Sequence, residues 1–158
     1  MYKFIPFVCA AFLVCALSDA GIAKAATISA KDPDKVAEIA KGYGSSSLEK
    51  DNTGDPKIRG RMEGIGYSIY FYGCKNNENC NSIQFSAGWD FPKENKLPLT
   101  TINEWNRGKR FGKAFLDRED NPRIEMSLPL AEVPVDHLER YFAWWGIALK
   151  EFKEHITK

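Results

Sequence analysis

The chain has 158 residues, of which 44% are hydrophobic and 27% are charged, with 22 basic and 21 acidic side chains. This length is that of one ordinary domain with a core of its own. A formal net charge of +1 lacks the basic excess that is typical of proteins binding nucleic acid or anionic membrane surfaces, so we expect neither partner.

The start of the chain has the pattern of a secretory signal peptide. An apolar run over 4–17 follows one lysine, and Ala23 and Ala25 form an A-x-A cleavage pattern. The run is shorter than the ~20 apolar residues that span a membrane. We therefore predict a signal peptide over 1–25, a single mature domain over 26–158, a periplasmic or secreted location, and no membrane span after cleavage.

Cleavage leaves two cysteines, Cys74 and Cys80. Two cysteines in an oxidising compartment are expected to pair. A zinc site needs four ligands, and His137 and His155 lie far along the chain; a redox centre usually has two residues between its cysteines. We predict a structural disulfide that contributes roughly 2 to 3 kcal/mol.

The mature chain begins with a short helix, and strands follow it. Val36, Ile39 and Ala40 fall on one face of a helix over 33–41, with Asp32 as its expected cap. Alternating apolar and polar residues then predict antiparallel strands with one buried face and one solvent-facing face. The strand candidates are 45–50, which is weak, then 57–63, 67–72 and 82–91.

The second half supplies another helix, another hairpin and a long final helix. We predict a helix over 101–108 capped by Thr100 or Thr101, and a hairpin over 113–130. Asp136 and Glu139 form a capping-box pattern at the start of the last helix. Its apolar stripe is Leu138, Phe142, Trp145, Leu149, Phe152 and Ile156. Together these elements predict an α+β fold: an antiparallel sheet of about five to six strands, helices packed on one face, and a long C-terminal helix.

No catalytic constellation is recognisable in the mature chain. Its two histidines, His137 and His155, fall near the two ends of the last helix, where solvated side chains are ordinary. The acidic turn at 117–121 lacks the glycine and the final glutamate of a calcium loop. We therefore predict a protein that is not an enzyme, with no catalytic residue, no metal and no cofactor.

Two surface features are suited to binding a partner. Basic residues alternate on one strand, and tyrosines alternate on the next. Trp144 widens the apolar stripe of the last helix, which favours contact with a second subunit. Basic residues also protect strand edges, and tyrosines are good strand formers, so a purely structural interpretation stays open. The candidate partner-binding residues are Lys57, Arg59, Arg61, Tyr70, Tyr72 and Trp144.

Three segments resemble the YbjN family: TINEWNR at 101–107, RFGKAFLD at 110–117, and IEMSL at 124–128. The resemblance covers about residues 33 to 153, and the cysteine-bearing hairpin looks like the exported branch of that family. It implies a fold similar to type III secretion chaperones, a class that commonly dimerises and binds extended client segments, and a role in regulating sensory transduction. No catalytic residues are established for the family, so none is carried over.

The resemblance leaves the role of its central motif open, because the motif is either structural or functional. From the residues alone, Trp105 is interpreted as a core anchor and Asn106 as a helix-end cap. Our leading hypothesis is a periplasmic, homodimeric, chaperone-like module that binds an unidentified protein partner, with a regulatory role as a further expectation. The alternative is an envelope sensor that binds a small ligand in an aromatic cleft near Tyr67, Trp89 and Trp144.

Overall fold

The computed structural model describes residues 25–158. All but the last residue of the predicted signal peptide therefore lies outside the described residues. The strands are β1 (Thr27–Ile28), β2 (Ser45–Lys50), β3 (Pro56–Met62), β4 (Ile65–Tyr72), β5 (Ser82–Gly88), β6 (Lys113–Leu116), β7 (Pro122–Pro129) and β8 (Val133–Pro134). The helices are α1 (Pro33–Lys41), α2 (Leu99–Gly108) and α3 (Val135–Ile156), with a 3₁₀ turn at Lys93–Asn95.

Six strands form one antiparallel sheet in the order β2-β3-β4-β5-β7-β6. Short turns join β2 to β3 and β3 to β4, and the disulfide hairpin joins β4 to β5. The chain then leaves the sheet through α2 and returns at the far edge as β6 before β7 completes the sheet. This topology confirms the predicted α+β fold, with its antiparallel sheet of about five to six strands and its long C-terminal helix.

One face of the sheet carries the core, because alternate strand residues are apolar and point the same way. On β4 and β5, Ile69, Phe71, Ile83 and Phe85 are at most 1% exposed. Phe142 of α3 meets Phe85 edge-on, with ring centroids 5.0 Å apart. Tyr43, just after α1, stacks on Phe142, and Trp105 of α2 packs against Phe152 of α3. We call this helix-packed side the covered face and the other side the open face.

Several element boundaries differ from the predictions; for example, α2 begins at Leu99 and β4 at Ile65. Strand β5 ends at Gly88, because Pro122 lies opposite Trp89 in the register and has no N–H: the Trp89 N–H donates to the Pro122 carbonyl (3.1 Å), but no return bond can form. The two-residue strands β1 and β8 pair with each other and were not predicted. Elements this short show no periodicity that a sequence pattern can reveal.

Of the predicted N-caps, only Asp32 holds its position, and none of them makes a side-chain capping hydrogen bond. Helices α2 and α3 begin directly after Pro98 and Pro134, and neither helix has a side-chain cap hydrogen bond. Asp32 does hold the N-cap position of α1, but its side chain makes no capping hydrogen bond either. Asp136 lies inside the first turn of α3 and pairs with Arg140 at 2.9 Å. The proline ring fixes φ at the start of these two helices but offers no side-chain acceptor, so their first-turn N–H groups have no polar side-chain cap.

The predicted disulfide between Cys74 and Cys80 is present. Between them, Asn76 and Asn77 have φ values of 54° and 62°, the left-handed conformation that a tight hairpin turn requires. The Asn77 amide donates to the Thr53 carbonyl (3.0 Å) and to the Asp55 carboxylate (2.9 Å). The closed hairpin therefore docks on the turn between β2 and β3.

Candidate functional site

Five of the six candidate partner-binding residues lie together on the open face. Lys57, Arg59 and Arg61 are on β3, and Tyr70 and Tyr72 are on the adjacent β4. The antiparallel register places Lys57 directly opposite Tyr70, and the Lys57 ammonium lies 5.4 Å from the centre of the Tyr70 ring. Among residues 25–158, the helices cover the other side of the sheet, so within this range these side chains face solvent or one another.

A hollow of about 660 Å³ lies at the centre of the open face. Its floor is made of small residues, so the surrounding side chains stand above it. None of the described residues that line it is acidic, whereas three are arginines. The lining residues whose side chains carry polar groups are Ser45, Ser46, Ser47, Ser68, Ser86, Tyr67, Tyr70, Arg59, Arg61 and Arg123.

Glu49 of β2 neutralises part of the basic row. Its carboxylate lies 3.1 Å from Lys57 and 3.3 Å from Arg59. The hydrogen bond from Lys57 is the main reason that the pKa of Glu49 is below its usual range. The Lys57 side chain is only 15% exposed, whereas Arg59 keeps 67% of its side-chain surface exposed. Lys57 is thus part of a structural network, and Arg59 remains accessible.

Arg123 of β7 forms the opposite wall of the hollow. It lies 2.7 Å from the Asp117 carboxylate and 3.0 Å from that of Asp90. The Asn121 backbone N–H and the Arg123 side chain donate to Asp117 and lower the pKa of that carboxyl. The guanidinium lies over Gly88, where a Cβ would collide with it. This wall therefore depends on Gly88, which leaves space for the guanidinium, and on Asp117 and Asp90, which pair with it.

Two of the three tyrosines of β4, Tyr70 and Tyr72, lie on the open face. The Tyr72 hydroxyl donates to Gln84 Oε1 (3.2 Å), and the Gln84 amide donates to Ser127 Oγ (2.9 Å). Partial burial, and secondarily the charge of Glu125, raise the pKa of Tyr72. Tyr72 is nevertheless 48% exposed, so it combines an ordered hydroxyl with an accessible ring.

Trp144 lies elsewhere, on the solvent side of α3. Its ring stacks on Phe111 with centroids 4.6 Å apart, and it is 37% exposed. Ile147, one turn further along α3, is 56% exposed. We call Phe111, Trp144 and Ile147 the helix patch. Sequence reasoning missed Ile147, although its i+3 spacing from Trp144 is a signal that could have found it.

The predicted aromatic cleft is not formed. Tyr67 is 4% exposed and points into the core, where its ring lies 6.3 Å from that of Trp145. Trp89 packs against Phe152, and Trp144 belongs to the helix patch. The alternation that places Tyr67 on the covered face and the end of β5 before Trp89 keep these rings apart.

The histidines take part in packing rather than in a catalytic arrangement. His155 Nε2 lies 2.8 Å from the Thr101 carbonyl oxygen, and its ring packs beside Trp105. His137 meets the edge of Tyr141. Within residues 25–158, no group of three or more His, Cys, Asp or Glu side chains is arranged to hold a metal ion. No helix in the same described range is both long enough and apolar enough to cross a bilayer.

The central motif of the second helix has a structural role. Trp105 is 2% exposed, and its Nε1–H donates to the Gly112 carbonyl (2.7 Å). The Asn106 side chain accepts from the Ala114 N–H and donates to the Ala114 carbonyl, both at 2.9 Å. Asn106 therefore pairs with the edge of β6 as a short strand would, and its interpretation as a helix-end cap is wrong.

Comparison with known protein families identifies the chain over most of its length. Residues 32–158 match the YbjN family, which is described as "putative bacterial sensory transduction regulator". The match spans all three helices and the whole six-stranded sheet. No curated protein matches the chain.

Proposed function

Because the chain belongs to the YbjN family, we propose that it is a non-enzymatic regulatory module of the bacterial cell envelope that acts by binding a protein partner. The observation that carries this proposal is the open face. It groups two exposed arginines, two tyrosines and a hollow on a sheet that helices cover only on the other side. Tyrosine and arginine are enriched in the centres of protein interfaces.

The geometry of the open face suits recognition rather than bond chemistry. Its serines have no histidine or other base among the residues lining the hollow, and an activated nucleophile needs such a base within hydrogen-bond reach. Turnover of a substrate that His137→Ala abolishes would contradict the non-enzymatic proposal.

A crosslinking pull-down tests partner binding. The oxidised protein is the bait in an envelope extract, and the variant Tyr70→Ala with Tyr72→Ala is the comparison. We expect a partner that the wild type captures and the double variant loses, because both rings lie on the open face. Leu99→Ala is the control, since it removes a large apolar side chain that is 60% exposed at the start of α2 and belongs neither to the open face nor to the helix patch. A partner captured equally by all three proteins would contradict this assignment.

We also propose that the protein is exported, that residues 1–25 are removed, and that residues 26–158 form the mature domain. The disulfide between Cys74 and Cys80 supports this, because such bonds persist in oxidising compartments. N-terminal sequencing of protein from a periplasmic extract should begin at Ala26. Recovery of the intact chain, with reduced cysteines, from the cytoplasm would contradict the proposal.

We further propose that two copies associate through the helix patch. Ile147 and Trp144 are 56% and 37% exposed, which is unusual for large apolar side chains on a helix. Light scattering at micromolar concentration should give twice the mass of one mature chain, and Trp144→Ala with Ile147→Ala should give a monomer. A monomeric wild type would remove this part of the proposal.

The second candidate function is a sensor that binds a small ligand. The hollow favours it, since about 660 Å³ falls within the usual volume range of small-molecule sites. Its polar and open lining is less typical of such sites, which are mostly apolar and enclosed. A thermal-shift screen in which one metabolite raises the melting temperature of the wild type, but not of Gly88→Ala, would favour the sensor.

A further inference from the structure

The basic row on β3 is uneven, and the difference lies in the neighbouring strands. Lys57 is flanked by Glu49 on one side and by Tyr70 on the other. Both neighbours are large and contact it, so the Lys57 charge is shared and covered. Arg59 and Arg61, the other two basic residues of β3, have different neighbours.

Arg59 and Arg61 stand among small residues on both sides. Arg59 lies between Ser47 of β2 and Ser68 of β4. Arg61 lies between Ser45 of β2 and Gly66 of β4. The two guanidinium groups are therefore accessible from above, with hydroxyl groups beside them and no bulky side chain. We call Arg59 and Arg61 the arginine pair.

The charge of the arginine pair is only partly satisfied within the described residues. Arg59 shares the Glu49 carboxylate with Lys57, at 3.3 Å. Arg61 donates to the Gly64 carbonyl oxygen (2.7 Å), and no described carboxylate lies within ion-pair distance of it. A carboxylate of a binding partner would therefore meet the charge of Arg61, which has no acidic partner among the described residues, and the charge of Arg59, which Glu49 already shares.

The spacing of the pair selects the shape of its ligand. Two residues apart on one strand, their Cα atoms are separated by about 7 Å along the sheet. An extended peptide presents alternate side chains on one side with the same period. Two acidic residues separated by one residue would therefore match both arginines at once, whereas a single small anion would match only one.

Resting on the proposed function, we propose that the arginine pair binds an extended acidic segment of the partner protein, in which two Asp or Glu residues are separated by one residue. The segment lies along β3 on the open face. Its carboxylates contact Arg59 and Arg61, and its polar groups contact the serines of β2 and β4. Arginine favours this chemistry because its planar donors match a carboxylate in a two-point contact.

A phage-displayed library of random twelve-residue segments tests the proposal without knowledge of the partner. The bait is the oxidised protein produced with its leader. We expect the acidic-x-acidic pattern to rise at least threefold among segments selected on the wild type. On Arg59→Gln with Arg61→Gln, this enrichment should disappear. The charge-matched control, Arg107→Gln with Arg118→Gln, should keep it, because those arginines are exposed on α2 and on the β6–β7 turn.

A synthetic peptide of the selected sequence completes the test. Its dissociation constant should rise at least tenfold when both acidic residues become glutamine, and again when salt is raised. If the double arginine variant fails to fold, Arg61→Gln alone serves, because it leaves the Glu49 network intact. Selected segments without the acidic pattern, no selected segments, or equal affinity of the acidic and glutamine peptides would each overturn the inference.

The inference and the proposed function fail separately. If the envelope partner is lost in the Tyr70 and Tyr72 double variant but kept by the arginine double variant, the open face binds a partner and the inference is wrong. Suppose instead that the tyrosine variant keeps every captured protein while the acidic peptide still binds the arginine pair. The inference then stands, and the proposal that the open-face tyrosines bind the partner is contradicted.

Discussion

The two faces of the sheet are built from alternate residues of the same strands, yet they differ in how tightly each side chain is held. On the covered face, Ile69 and Phe85 have no exposed surface. On the open face, Arg59 retains 67% of its side-chain surface, and Tyr72 is 48% exposed. The difference indicates that packing dictates residue choice on the covered face. The open face is less constrained by stability and is available for binding.

The largest expected effect comes from breaking the covered face. Phe85→Ala removes a ring that contacts Phe142, Trp145 and Tyr67 at centroid distances of 5.0, 5.5 and 6.4 Å. We expect the free energy of unfolding to fall by about 3 to 5 kcal/mol, because the site loses both burial and packing. Urea denaturation followed by tryptophan fluorescence measures it.

Gln84→Ala is the matched control, since Gln84 is the preceding residue and points to the open face. It loses hydrogen bonds to Tyr72, Ser127 and the part-buried Glu125, and we expect a cost of about 1 kcal/mol or less. Equal costs for the two substitutions would refute the distinction between the faces.

The next effect tests how much the disulfide stabilises the hairpin that joins β4 to β5. Cys74→Ser opens the loop closed by the disulfide, and we expect the free energy of unfolding to fall by roughly 2 kcal/mol. The melting temperature should drop while unfolding stays cooperative, because Cys80 is only one member of a large core whose other strand and helix residues are unchanged. Differential scanning calorimetry measures both quantities.

A reductant provides the control for the cysteine variant. It should lower the melting temperature of the wild type to a similar value and leave Cys74→Ser unchanged. Loss of all cooperative unfolding in the variant would show instead that the disulfide is essential to the fold.

A smaller effect is expected at the edge strand β6, whose backbone is bonded by Asn106 of α2. Asn106→Ala removes the two hydrogen bonds to the backbone of Ala114, and we expect a loss of about 1 to 2 kcal/mol. Amide hydrogen exchange should show faster exchange at Ala114, since its N–H loses its acceptor. Asn103→Ala, an exposed change on the same helix, should alter neither quantity.

The contrast between the two faces also explains how much of the fold could be predicted from the sequence. Alternation of apolar and polar residues predicted β3, β4 and β7, because burial on one face imposes a period of two. The stripe of Phe142, Trp145 and Phe152 predicted α3 for the corresponding reason, with a period of 3.6. The prolines before α2 and α3 could not be distinguished from turn residues, so the polar caps were predicted in their place.

The open face could be predicted only in part. Alternation placed Arg59 and Arg61 on one side of β3, but their small neighbours come from β2 and β4. Those neighbours depend on the register between strands, which a single strand's pattern does not contain. The contact of Asn106 with Ala114 likewise depends on the path of the turn at 109–112, for which the sequence shows no period.

The smallest effect appears only at high pH and concerns a tyrosine of the covered face. Burial raises the pKa of Tyr67 to about 12, above the value of about 10 expected in the unfolded chain. The stability associated with its neutral hydroxyl is complete below pH 10. It is lost as the pH rises from 10 to 12, because the unfolded chain then binds fewer protons than the folded one. Tyr67→Phe should therefore lose less stability over this interval.

Urea denaturation at pH 8 and at pH 11 separates this effect from the packing cost of the substitution. The difference between wild type and Tyr67→Phe at pH 8 reports packing alone, since the phenol is neutral in both states there. Between pH 8 and pH 11, the free energy of unfolding should fall more in the wild type than in Tyr67→Phe, because the wild type loses the contribution of its buried neutral phenol. Parallel losses in the two proteins would show that Tyr67 ionises as readily in the folded state as in the unfolded one, and that water reaches this part of the covered face.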